Sequence, residues 1–163
     1  MAKSKTFATK NDLAPDVRQK AIALLNQHLA DTFDLYSQTK QAHWNVKGMQ
    51  FFQLHELFDT LAAAVADDSD LIAERATALG GTALGTARMS AAASRLPEYP
   101  LDVVDGRQHV EALTARFANL ANTSRAAIDA AASFGDADTA DVFTEVSRRL
   151  DKHLWFLEAH LTS

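Results

Sequence analysis

Apolar residues recur along this chain at intervals of three and four, over four long stretches, and show no sustained one-by-one alternation. That spacing lines one side of a helix and withholds the two-residue period of a strand. The first stripe is Ile22, Leu25, Leu29, Phe33 and Tyr36, on a helix opened by Asn11 or Asp12 as cap, tolerating Pro15 in its first turn, and running to about Val46 before Gly48. The second carries Leu54, Leu57, Phe58, Leu61, Val65 and Ile72 from about Phe51 to Leu79, ending at Gly80-Gly81. The third, about Arg107 to Ser133, carries Val110, Leu113, Phe117, Leu120 and Ile128 and stops at Gly135. Asp136 or Asp138 then caps a fourth, with Val142, Val146, Leu150, Leu154, Leu157 and Leu161.

The connections restrict how four such helices pack. The turns at Gly48 and Gly135 are short enough to force antiparallel neighbours, whereas residues 80–106 make one long crossing, in which Thr86 to Ser94 has the pattern of a short helix. Two hairpins joined by one crossover give an all-α, ferritin-like four-helix bundle. At 163 residues this is one domain: a basic flexible tail over residues 1–11 and a bundle over 12–163. No apolar stretch approaches the roughly 20 residues of a membrane span, and the basic start is followed by no signal-peptide core, so the expectation is a soluble, cytoplasmic protein. The absence of cysteine removes disulfides, thiolate zinc sites and iron–sulfur clusters, leaving nitrogen and oxygen as the only metal donors.

Those donors gather on the second helix. At 100° per residue His55, Asp59, Asp70 and Glu74 fall within about 100° of one another, while Leu54, Leu61, Val65 and Ile72 cluster on another face. A solvated face rich in carboxylates is one reading. The other is a contact surface, because Ala62, Ala63 and Ala66 lie between the two donor pairs where an open surface would carry lysine and glutamate. The numbering favours contact: His55 and Glu74 share a midpoint at 64.5, and so do Asp59 and Asp70. An antiparallel copy crossing there sets His55 opposite Glu74 and Asp59 opposite Asp70. Within one helix, 19 residues separate His55 from Glu74 by about 28 Å, so a shared ion requires a two-fold axis between subunits.

His43 continues the inner stripe of the first helix and reads either as a core histidine or as a further ligand. The turn at Gly48 brings it toward His55. Two imidazoles and three carboxylates without sulfur suit redox-capable iron better than zinc's closed tetrahedron or calcium's all-oxygen shell. Di-iron bundles with a centre inside each subunit carry Glu-x-x-His on two helices. None of the six histidines here has glutamate three positions earlier.

The segments Lys40-Gln41-Ala42-His43-Trp44-Asn45, Leu54-His55-Glu56-Leu57-Phe58-Asp59, Asp70-Leu71-Ile72-Ala73-Glu74-Arg75 and Leu150-Asp151-Lys152-His153-Leu154-Trp155-Phe156 resemble those of the Dps family, the DNA-binding proteins from starved cells, or miniferritins. The resemblance runs through the whole chain after the tail. It implies a homododecamer that oxidises Fe(II), preferentially with hydrogen peroxide, stores the ferric mineral in its hollow and so protects DNA. It also implies a ferroxidase centre of His43, His55 and Asp59 from one subunit with Asp70 and Glu74 from its two-fold partner, where zinc or manganese can substitute for iron.

By the same resemblance, Asp138 and Asp141 line an iron-entry pore, although acids at a helix start also serve the cap and the dipole. Glu56 is a candidate for mineral nucleation, and Asp136 for an addition to the pore. Trp44 is either a redox neighbour of the centre or an interface residue. The tail lysines Lys3, Lys5 and Lys10 resemble a DNA-binding arm; residues 1–20 carry three net positive charges, against eight negative for the rest of a chain of net charge −5. A rival reading from another class is a nucleoid-structuring protein whose metal site is mainly structural.

Overall fold

The computed structural model describes residues 5–162, so Lys3 lies outside the described residues. Five helices follow in order: α1 over Pro15–Asn45, α2 over Phe51–Ala78, α3 over Ala87–Ala93, α4 over Gly106–Ser133 and α5 over Ala137–Ala159. The four long helices are those the apolar spacing predicts, and the short helix falls within the Thr86 to Ser94 span of the crossing. The described residues contain no strand, only a single isolated bridge between Lys47 and Asp105.

The ends of the helices show which local forces prevail. Helix α1 starts at Pro15, later than Asn11 or Asp12 would set it, and Ala14 at its cap position makes no side-chain bond. Proline has no N–H to satisfy and its φ suits the first helical position, so the helix begins there. The Asn11 side chain instead accepts from Leu13 N at 3.0 Å, closing a turn just upstream. Thr86 caps α3, and Asp105 caps α4 in a reciprocal capping box with Gln108. Asp136, rather than Asp138, caps α5, with its carboxylate on Thr139 N at 3.0 Å.

Helix α1 packs along α2, and α4 along α5, as the short turns require. The interior is filled by Leu25, Leu35, Phe58, Leu61, Ile72, Phe117, Leu120, Phe143 and Leu150, all fully buried. Residues at the margins of the stripes, including Ile22, Tyr36, Leu57 and Val142, are only partly buried. At the end of α2, Gly80 has φ of +83°, and a Cβ there would stand 2.6 Å from the carbonyl oxygen of Phe7. Only glycine lets the N-terminal segment lie this close, where Phe7 N donates to Gly80 O at 2.8 Å.

The crossing is fastened by polar side chains. Buried Asp31 of α1 accepts from the backbone N of Arg95 at 2.7 Å and from its Nε at 2.9 Å, and Ser94 Oγ donates to Asp34 at 2.6 Å. Gln38 Nε2 donates to Pro97 O at 3.0 Å, Arg116 Nε donates to Gln38 at 2.7 Å, and the Tyr99 hydroxyl lies 2.6 Å from His109 Nδ1. A chain of this shape has no strand ladder to hold the segment, so these bonds set its path. Asp31→Ala leaves several donors of Arg95 to water and is expected to cost about 2–4 kcal/mol, read as a lowered urea midpoint at unchanged slope.

Among the buried histidines, His28, His109 and His153 are each held by burial below the ordinary value of 6.5. The unfolded chain binds those protons more readily, so the stability they confer is present above pH 6.5 and lost as the pH falls below it. His28→Gln should therefore flatten the decline in unfolding free energy below pH 6.5, by up to about 1.4 kcal/mol per pH unit.

Candidate metal centre

The end of α1 and the start of α2 are locked together by two histidines. His43 Nδ1 donates to the backbone carbonyl of His55 at 2.8 Å, and His55 Nδ1 donates to that of His43 at 2.9 Å. The rings stack, with centroids 3.7 Å apart and planes 19° from parallel, and Phe51 lies 5.1 Å from the His55 ring on its own helix. A carbonyl only accepts, so each Nδ1 carries a proton, and in the neutral imidazole the lone pair is then on Nε2. Second-partner bonding of this kind fixes the tautomer and ring direction of metal-binding imidazoles.

Asp59, one turn beyond His55, has an oxygen 3.9 Å from His43 Nε2. Lys40 bonds the same carboxylate oxygen. That hydrogen bond, with the charge of Lys40, holds the Asp59 carboxyl below the usual carboxylate range and so keeps it anionic. Lys40 is largely covered, while Asp59 is more than half exposed. One face of the hairpin thus offers two imidazole lone pairs and a carboxylate.

Asp70 and Glu74 lie further along the same helix, both exposed, and nothing in the chain brings them to the histidines. Among the described residues no cluster of three or more histidine, aspartate or glutamate side chains is disposed to hold a metal within one chain. Asp70 instead rims a groove between α1 and α2, lined by Leu29, Phe33, Tyr36, Ala73 and Ala83 among others. Ala63 and Ala66 remain accessible between the donor pairs, whereas Ala62 is buried, having turned into the bundle.

The acids at the start of α5 separate in role. Asp136 is buried, caps the helix and accepts from Arg75 Nη2 at 2.7 Å, so it offers no free carboxylate. Asp138 is exposed, with an oxygen 3.5 Å from Arg75 Nη1; Asp141 is exposed on a shallow depression at the α4–α5 turn. Glu56 is exposed on α2. Trp44 is 64% exposed, with Lys40 Nζ 5.8 Å from its ring. Lys5 and Lys10 are exposed, and the backbone carbonyl of Lys5 accepts from Thr82 Oγ1 at 2.7 Å.

Sequence reasoning did not single out Lys40 or Arg75. Each is an isolated cation whose partner is distant in sequence, 19 residues away for Lys40 and 61 for Arg75. Spacing along one helix carries no trace of such pairs.

A family model described as a ferritin-like domain matches residues 22–163. The DNA protection during starvation protein of Agrobacterium fabrum is 48% identical over 157 residues, which span 96% of this chain and 97% of that protein. DpsC from Streptomyces coelicolor superposes with a TM-score of 0.92 at 30% identity, over 98% of this chain and 93% of that one. A Dps protein from Vibrio cholerae O1, described as a member of a broad superfamily of ferritin-like diiron-carboxylate proteins, superposes at 0.88 with 28% identity, over 97% of this chain and 100% of that one. The fold and the family match thus define a ferritin-like protein. Within that class, the chain belongs to the Dps family. Among the described residues, no helix is long and apolar enough to cross a membrane.

Lys40→Met removes the strongest influence on Asp59. The Asp59 carboxyl should then titrate higher, toward the ordinary carboxylate range, as followed by carboxyl-carbon NMR against pH in metal-free protein.

Proposed function

We propose that this protein oxidises Fe(II) and stores the ferric product, at centres shared between two-fold-related subunits. His43, His55 and Asp59 supply one side of each centre, and Asp70 and Glu74 of the partner subunit the other. The observation that carries this reading is the reciprocal His43–His55 bonding, which leaves both Nε2 atoms free beside an anionic Asp59. Asp70 and Glu74 lie on the same helix, and the shared midpoint of the two donor pairs gives an antiparallel copy the register to complete the set.

The chemistry follows from the donors. Carboxylates favour the more highly charged Fe(III), while imidazoles retain affinity for Fe(II), so the set stabilises the product without rejecting the substrate. Two Fe(II) ions give up two electrons together to one hydrogen peroxide, which leaves as hydroxide or water, and no one-electron reduction to hydroxyl radical is required. The chain's own part is to hold the imidazoles in one tautomer, to keep Asp59 ionised and to present Lys40 as the cation that balances it before iron arrives. Zinc and manganese match the same nitrogen and oxygen donors and act as substitutes.

The finer assembly belongs to the same proposal. Twelve copies enclose a hollow for the mineral, Asp138 and Asp141 line the route by which iron enters, and the protein works in the cytoplasm. Trp44 is the aromatic neighbour of the centre, and exposed Glu56 is the site at which mineral nucleates. Protection of DNA follows from removing Fe(II) and peroxide together, in keeping with the name of the Agrobacterium fabrum relative. Direct DNA contact uses Lys3, Lys5 and Lys10, whose repetition over a multimer sums weak phosphate contacts.

Asp70→Ala and Glu74→Ala should each lower the initial rate of Fe(II) oxidation by peroxide by more than about tenfold, with helical content unchanged. Wild-type rates in both variants overturn the shared centre, as does iron-edge density inside one bundle away from the two-fold contact. The rival, a nucleoid-structuring protein with a structural metal, requires a negligible oxidation rate together with loss of DNA mobility shift when residues 1–11 are removed.

A further inference from the structure

Arg75 stands where a cation is out of place. It reaches from the last turn of α2 to the first turn of α5, and the N-terminal end of a helix carries the positive pole of the backbone dipole. Asp136 compensates for that. Its side chain is 1% exposed and accepts from Arg75 Nη2 at 2.7 Å, while Arg75 Nε donates to Thr139 Oγ1 at 3.0 Å. Thr139 in turn donates to Asp136 from its backbone N at 3.0 Å and from its hydroxyl at 2.6 Å. Two nitrogens of the guanidinium are thus built into the contact between α2 and α5, and a planar fork held at two atoms does not swing away.

One positive charge balances one buried carboxylate, so Asp136 and Thr139 already complete the clasp. The third nitrogen faces the proposed iron route. Arg75 Nη1 lies 3.5 Å from Asp138, whose side chain is 81% exposed against 13% for Arg75. That separation is a charge contact beyond the usual hydrogen-bond length, and it leaves the Asp138 carboxylate open to cations from solvent. Asp141, one turn further along the same face of α5, is exposed and has no ion-pair partner among the described residues. The route therefore carries one acid facing a fixed guanidinium and one acid without such a neighbour.

We infer that Arg75 is a fixed counter-charge that weakens the hold of Asp138 on Fe(II), so that this acid passes the ion on instead of keeping it; this rests on the proposed route through Asp138 and Asp141. A flexible lysine would be pushed aside by the arriving cation. The anchored guanidinium stays, and an ion at Asp138 is repelled by it for as long as it remains. Passage through a charged constriction needs binding strong enough to draw the ion in and weak enough to let it leave. Asp138 supplies the first and Arg75 the second. Arg75 acts only through Asp138, as a positioning residue.

Mn(II) binding, counted from the electron paramagnetic resonance of the free ion, reads that hold directly. The binding component that Asp138→Asn removes belongs to the route. Its affinity should rise about fivefold to tenfold in Arg75→Gln, the effect of one positive charge a few ångströms from a divalent ion in a solvated site. Arg75→Lys should return it toward the wild-type value. Arg75→Gln leaves the buried Asp136 without its partner, so Arg75→Gln combined with Asp136→Asn removes both charges at constant net charge. This double variant should change in the same direction, with circular dichroism and light scattering as in the wild type. In Fe(II) oxidation by peroxide, Arg75→Gln should lower the Fe(II) concentration at half-maximal rate and the maximal rate together, each several-fold; a clasp between helices alone would not tighten half-saturation. Unchanged Mn(II) affinity in both the single and the double variant overturns the inference, and slowed oxidation in Asp138→Asn then leaves the route standing without it. Raised affinity, with Asp138→Asn oxidising Fe(II) at the wild-type rate, supports the counter-charge and refutes the route.

Discussion

The pair of hydrogen bonds exchanged by His43 and His55 is the interaction on which the rest of the hairpin depends. His55 Nδ1 satisfies the His43 carbonyl in the last turn of α1, where the intrahelical ladder runs out, and His43 Nδ1 bonds the His55 carbonyl near the start of α2, so the two bonds close the turn as well as orient the rings. The same two contacts set the registry of α1 against α2. That registry fixes where Lys40 meets Asp59, where the groove opens and which side chains stand on the outer face.

Helix α2 separates two functions by angle. Phe58, Leu61, Val65 and Ile72 are wholly buried in the bundle, while Asp59, Asp70 and Glu74 are exposed on another side. A helix that turns these apolar residues inward and places carboxylates with alanines outward is prepared for a partner and not for water alone. The inner face makes the domain stable as a bundle. The outer face makes it incomplete as a site.

The long crossing imposes a different demand. It joins two hairpins without a strand or a long helix of its own, and its path is held by Asp31, Asp34, Gln38, Arg116 and His109 reaching out from α1 and α4. The cost is a set of polar groups placed inside a helical core. Their net worth comes from mutual satisfaction, since an orphaned partner is far more costly than the pair is favourable. The apolar pattern of the chain says nothing about these residues, because their chemistry resembles that of any solvated helix face.

Local rules carried most of the architecture. The three-and-four spacing specified the long helices, glycine and aspartate their limits, and the length of residues 80–106 the crossover, because each depends on backbone geometry within a few residues. The exception at Pro15 is itself local: its fixed φ outweighed the capping tendency of Asn11 and Asp12. The helix face bearing His55, Asp59, Asp70 and Glu74 was legible for the same reason, being a matter of angle along one helix. Only the tertiary structure decided that His43 and His55 exchange carbonyls, that Lys40 neutralises Asp59, and that Arg75 takes Asp136 out of the set of free acids while reaching Asp138. Those pairings join residues from 12 to 63 positions apart, and contact at such separations is set by how whole helices pack, which no local spacing encodes.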